Sequence, residues 1–264
     1  NMGPTYPQGR IIHLSFGFIA AFIGAVFVPS ILEADWTAVT FLGLAATQFR
    51  EVRNMERTTL EKVDNFELVK RGDPFIEGMA QAFESRNYLV MFTAIASTLL
   101  AVFHSAFGIA AGIAMLFVAK QNMSGKTIKD IADIVEGEIR FEGADLFVSD
   151  IHIKNVGLEE SKEIILEKAV GVIVIPKNEN SAVTISNLGQ RQAMLHQVAN
   201  ILGAYIDEGE PDFLPLSKRD MEDGRLGLFL MPAEKDFHQI KTVLEQVPVL
   251  DSAIRLPNEA NKGK

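Results

Sequence analysis

The sequence contains no cysteine. That excludes disulfides, thiolate metal sites and cysteine nucleophiles. Charge is also missing over long stretches. Residues 11–32 and 88–119 hold no Asp, Glu, Lys or Arg, across 22 and 32 positions. A helix needs about 20 apolar residues to cross the ~30 Å hydrocarbon core of a bilayer. Two such runs in one chain point to an integral membrane protein with a soluble C-terminal half. The first run is too long for a signal-peptide core and lacks a small-residue cleavage site, so it reads as a span. Excess positive charge is missing too. The chain carries a net charge of −9, and residues 120–264 hold 17 basic against 24 acidic side chains. Such a domain is a poor partner for nucleic acid.

Flanking charges orient the runs. Arg10 precedes the first and Glu33 and Asp35 follow it, which places Arg10 inside. A shorter apolar piece, 36–49, begins at Trp36 and ends before Arg50, Arg53 and Arg57. It reads as the return of a helical hairpin over 11–49. Residues 50–86 hold 7 basic and 8 acidic side chains and read as a cytoplasmic amphipathic segment. Within it Asp73 is placed to N-cap a helix and Pro74 to occupy the first helical position, with Phe75, Ile76, Met79, Ala80 and Phe83 on one apolar face. The run 88–119 would measure about 48 Å as a single helix. A turn at His104-Ser105-Ala106-Phe107-Gly108 makes it a second apolar hairpin; one long tilted helix is the other reading. Lys120, Lys126 and Lys129 then put the C-terminal half in the cytoplasm.

That half alternates helix and strand signals. Helices are expected at 126–135, 158–169, 188–206 and 236–246. Strands are expected at 146–148, 151–153, 171–175, 182–185, 226–231 and 249–256, with 171–185 forming a hairpin through the polar turn 176–180. The fold class is a membrane α-helical module followed by a soluble α+β domain, a ferredoxin-like sandwich with helices on one face of a sheet. The expected domains are 1–122 for the membrane module and 123–257 for the soluble domain, with a frayed tail at 258–264.

The ordered motifs Tyr6-Pro7-Gln8-Gly9, Gln48-Phe49-Arg50, Val52-Arg53-Asn54-Met55-Glu56-Arg57, Arg71-Gly72, Phe75-Ile76-Glu77-Gly78-Met79-Ala80, Arg86-Asn87-Tyr88 and Ser186-Asn187-Leu188-Gly189-Gln190-Arg191-Gln192-Ala193 resemble the YIEGIA family. Phe75 and Met79 depart from the pattern that names the family, both by apolar exchanges. The resemblance implies a multi-pass cell-membrane protein of spore-forming Gram-positive bacteria, linked to sporulation. It also implies a further N-terminal hydrophobic helix ahead of the Tyr-Pro segment, which this sequence does not contain. A regulatory protease role is a further association of the family.

Four groups of residues could carry chemistry. Glu77 is either a functional carboxylate facing a helical bundle or part of a solvated helix face shared with Asp73, Gln81 and Glu84. Asn187, Gly189, Gln190 and Arg191 open a helix. Its N-terminus, with space above Gly189 and a guanidinium from Arg191, could bind a small anionic ligand or a peptide carboxylate. The plain alternative is a capping box of Asn187 and Gln190. Ser186, His152 or His196, and Asp150 could form a nucleophile–base–acid set. Residues 186 and 196 lie roughly 13 Å apart along a helix, however, and need another element to bring them together. His13 and His104 lie in apolar runs, near a membrane end and at the expected turn. The five histidines show no metal spacing, and no cofactor motif, P-loop or zinc-protease motif occurs. The lead functional reading is a regulatory module binding a protein partner or a small anionic ligand through the soluble domain, with Glu77 and Arg86 coupling the charged segment to it. The alternatives are a membrane-tethered protease and a small channel or transporter.

Overall fold

The computed structural model describes residues 7–123, 125–205 and 211–254. The expected tail at 258–264 lies outside them. The chain forms two compact units, one of residues 1–60 and 77–125, the other of 61–76 and 126–264.

The first unit is helical. Its elements are α1 (Pro7–Leu32), α2 (Trp36–Asp64), α3 (Asp73–Ala101) and α4 (Ser105–Met123), the second and third running on into residues of the other unit. A tight turn joins α1 to α2, with Ala34 at φ 56° and Asp35 Oδ1 accepting from the Ala38 amide at 3.0 Å. The charged stretch after Arg50 is not a separate segment. It prolongs α2 by four turns, because residues 50–64 contain no glycine or proline to stop it. Likewise the helix that opens at Asp73-Pro74 passes through Tyr88 into the apolar run. That run breaks at residues 102–104, where the His104 Nδ1 accepts from the Ala106 amide at 3.2 Å. Ala20, Ile23, Phe49 and Met91 form the buried centre of this unit, with Phe16, Leu42 and Tyr88 packed around them. Residues Gly9–Leu32 make the one described helix long and apolar enough to cross a membrane, by length and composition. Only 22% of its most apolar stretch is buried, and Leu14, Phe18, Phe41, Ile109 and Phe117 on the helices stand exposed.

The second unit is α+β with antiparallel sheets. Its elements are α5 (Ile128–Ile131), β1 (Ala132–Gly137), β2 (Ile139–Glu142), β3 (Asp145–Val148), β4 (Ile151–Asn155), α6 (Glu159–Lys168), β5 (Val170–Pro176), α7 (Glu179–Ser186), α8 (Leu188–Leu202), β6 (Leu216–Arg219), β7 (Leu226–Leu230) and α9 (Phe237–Glu245). A four-stranded sheet runs β1-β5-β7-β6, and β2-β3-β4 form a separate three-stranded meander. Alternation along β5 and β7 sorts the faces. Ile173 and Phe229 face the meander and join Leu146, Val148, Ile151 and Ile153 in one core. Val172, Val174, Leu226 and Leu228 face the other way, toward α7, α8 and α9. The meander sits close because Gly171 lacks a side chain: a Cβ there would lie 2.4 Å from the Gly137 carbonyl oxygen and 3.0 Å from Val148.

Several sequence expectations are corrected. The expected helix 126–135 is a single turn followed by β1, since buried Ala132 and Ile134 alternate with exposed Asp133 and Val135 and pair with β5. The expected strand 182–185 is helical. Asn178 caps α7 by accepting from the Ser181 amide at 2.9 Å, so the polar turn starts a helix rather than a hairpin. No strand forms at 249–254; Pro248 makes one isolated bridge to Thr127, and Asp251–Ala253 is a 3-10 turn. The strands β2 and β6 were not expected. Each has four residues, mixed with charge, and is stabilised by its hairpin partner rather than by its own composition.

Candidate functional site

Helix α8 and its N-cap carry Asn187, Gln190, Arg191 and His196, and all but Arg191 have firm internal partners. Asn187 is its N-cap, its side-chain oxygen accepting from the amides of Gly189 at 2.9 Å and Gln190 at 3.3 Å. The Gln190 side chain does not return to Asn187 as a capping box requires. Fully buried, it accepts from the Leu250 amide at 2.8 Å and donates to the Pro248 carbonyl at 3.1 Å. It thereby fastens the segment after α9 to α8. The space expected above Gly189 is filled: a Cβ there would lie 2.7 Å from Cβ of Pro74. The open anion pocket at this helix terminus is therefore not formed. Of the four residues, Arg191 alone lacks a firm partner. Its Nη1 lies 3.5 Å from the Ser217 carbonyl, and its buried Nε has no hydrogen bond.

The link from α2 to α3 folds onto the same helix. The Asp64 carboxylate is buried and accepts from the amides of Arg71 at 2.7 Å and Gly72 at 3.2 Å, closing the link into a loop. Gly72 turns the chain at φ 81°, a conformation that favours glycine. The Arg71 guanidinium pairs with Glu67 at 3.1 Å. From α8, Gln192 donates its amide to the Lys70 carbonyl. His196 Nδ1 donates to the Val69 carbonyl at 2.6 Å, and Phe75 meets the imidazole edge-on at 6.4 Å. Residues 189, 192 and 196 are spaced to share one helix face, so the link has a continuous seat.

This seat favours the neutral form of His196. The ring is 3% exposed, and burial lowers its pKa below the ordinary histidine value. The Val69 carbonyl, Glu67 and Asp64 oppose that shift, and Arg71 adds to it. A neutral imidazole with its proton on Nδ1 satisfies the carbonyl.

The residues considered for nucleophilic catalysis are not gathered. The Ser186 hydroxyl, at the end of α7, donates to the Ala182 carbonyl one turn back. His196 is occupied by Val69. His152 lies on the exposed side of β4, against Asn155 at 3.1 Å and Asp145 at 3.3 Å. Asp150 is not on a strand with it. It sits in the turn before β4 and forms a two-pronged ion pair with Arg225 at 3.2 and 2.6 Å, which holds its carboxyl below the usual range. Glu77, on α3 in the first unit, faces Arg57 at 3.7 Å and Arg53 at 4.0 Å, while Arg53 also meets Glu84 at 3.1 Å. In the same unit His13 contacts Glu56 at 3.3 Å and stacks on Phe83. Phe75, Ile76 and Ala80 are buried, with Gly78 and Met79 half-buried. Among the described residues, no group of three or more His, Asp or Glu is arranged to hold a metal ion.

The sequence reading gave Asp64, Val69, Arg71 and Gln192 no role at a site, although Arg71 and Gln192 stand in the family motifs. The signal available was Arg71-Gly72-Asp73-Pro74, which marks a turn feeding a helix start.

The YIEGIA protein family model matches residues 2–260. The chain belongs to the YIEGIA family. A curated member-like relative, the uncharacterized protein YphB of Bacillus subtilis (strain 168), is 49% identical over 262 residues, covering 99% of this chain and 88% of the relative. No solved structure matches the chain. The family's naming motif straddles the two units here, with Phe75 and Ile76 in one and Glu77 to Ala80 in the other.

Proposed function

We propose that this chain is a sporulation-linked, multi-pass membrane protein whose α+β domain is a ferredoxin-like regulatory module that acts by binding. The observation that carries the reading is the seat on α8. His196, a candidate base, and Gln192 hold the α2–α3 link instead. A domain fastened to the ends of two long helices is built to pass a binding event along them. Exposed apolar side chains along α1, α2 and α4 support immersion in lipid. The arginines after residue 50 support a cytoplasmic domain. The β5–α7–α8–β6 crossover with β7 between its strands supports the ferredoxin-like assignment.

The test is complementation in sporulating cells that lack the gene, read as sporulation efficiency and as the proteome. Ser186→Ala and His152→Ala are expected to restore both fully. Gln192→Ala together with His196→Phe, which loosens the link, is expected not to. If Ser186→Ala left proteins accumulated as in the deletion, a membrane-tethered protease would replace this reading.

A further inference from the structure

Among the described residues, two arginines of the second unit, Arg191 and Arg219, make no ion pair. The other described arginines of this unit have carboxylate partners: Arg225 meets Asp150, Asp220 and Asp223, Arg140 meets Glu142, and Arg71 meets Glu67. Carboxylates outnumber basic groups in residues 120–264, so partners are not scarce. Yet neither Arg191 nor Arg219 makes an ion pair among the described residues.

Register brings the two together. Ser217 pairs with Leu228 and Arg219 with Leu226, so both side chains stand on the sheet face that carries α8. Arg191 reaches across from α8 to the Ser217 carbonyl at a length near the limit of a hydrogen bond. Its Nε is buried and unpartnered. The Ser217 hydroxyl makes no hydrogen bond among the described residues. Burial and then the Arg219 charge both push the Arg191 guanidinium toward giving up its proton. Two guanidinium groups close enough to repel are costly without an anion, and a tetrahedral oxyanion offers each fork a pair of acceptors.

We propose that Arg191, Arg219 and the Ser217 hydroxyl bind a phosphate-type dianion, either inorganic phosphate or the phosphoryl group of a small phosphomonoester. This site is distinct from the helix terminus, which Asn187 and Pro74 already occupy. The proposal names the ligand class for the binding module above and rests on that reading.

The experiment titrates detergent-solubilised full chain with inorganic phosphate, and separately with phenyl phosphate, at constant ionic strength. Binding is followed by calorimetry and by phosphorus NMR line width. Both probes are expected to bind at millimolar concentration or below, and the tighter one identifies the source of the phosphoryl group. Arg219→Ser, at an exposed position that the fold does not need, is expected to weaken binding about tenfold or more. Arg191→Lys keeps charge but loses the fork, and is expected to weaken it as well. Absence of binding to the wild-type chain, or an Arg219→Ser titration that matches it, would overturn the site. Complementation by Ser186→Ala reads the regulatory function separately, so either idea can fail alone.

Discussion

Helix α8 and the β3–β4 hairpin each carry a histidine and a second polar side chain, used for opposite ends. On α8, Gln190 and His196 are buried, and each bonds a backbone group far away in sequence. On the hairpin, Asp150 and His152 are 59% and 44% exposed at the side chain and meet other charged or polar groups in water. In sequence both look like site material, Gln190 as a ligand contact and the other three as catalytic candidates. Burial separates them: a polar side chain enclosed with its partners specifies a structure, whereas an exposed ion pair contributes little.

That difference can be broken from either side. The largest effect is expected from Gln190→Leu, which fills similar space but leaves the Leu250 amide and Pro248 carbonyl unpaired. A loss of about 3 kcal/mol follows, read by pulse proteolysis of the solubilised chain in urea. Next is Gly189→Ala. In a free helix the change would stabilise by up to about 1 kcal/mol, but contact with Pro74 reverses the sign, and a loss of about 1–2 kcal/mol is expected by the same measurement. A neutral or stabilising result would mean that the link is not seated on α8.

The third prediction concerns pH. His196 has a lowered pKa in the fold, so the unfolded chain takes up its proton first as pH falls. Stability contributed by the neutral ring is complete above the unfolded value of about 6.5 and declines below it. Urea midpoints measured from pH 7.5 to 5.5 should fall, and His196→Phe should flatten the part of that fall that differs from His152→Gln. The smallest effect belongs to Asp150→Ala. Its ion pair with Arg225 is mostly solvated, and the cost is expected to stay below about 1 kcal/mol. A larger loss would show that the hairpin is held by charge rather than by Ile151 and Ile153.

Much of this architecture could be read before any coordinates. The uncharged runs marked the apolar helices, and Asp73-Pro74 marked the start of α3, because both signals are local. The strands β5 and β7 were legible as continuous apolar runs, the pattern of strands covered on both faces. The failures were non-local. Residues 182–185 carry β-branched side chains but answer to a cap at Asn178. Arg140 and Glu142 conceal a strand whose existence depends on β3. At the candidate site, the Asn187 cap was visible, since its partners are two and three residues away. Gln190 bonds 58 and 60 positions ahead and His196 bonds 127 behind, distances at which periodicity carries no information.

The discontinuous make-up of the second unit constrains how the chain threads. Residues 61–76 and 126–264 fold together, so 77–125 is an excursion that leaves one body and returns to it. If α3 and α4 enter a bilayer, they cross it an even number of times. A hairpin meets that condition, and a single long span from 88 to 119 does not. The parity holds whichever side the domain occupies and however many helices precede α1.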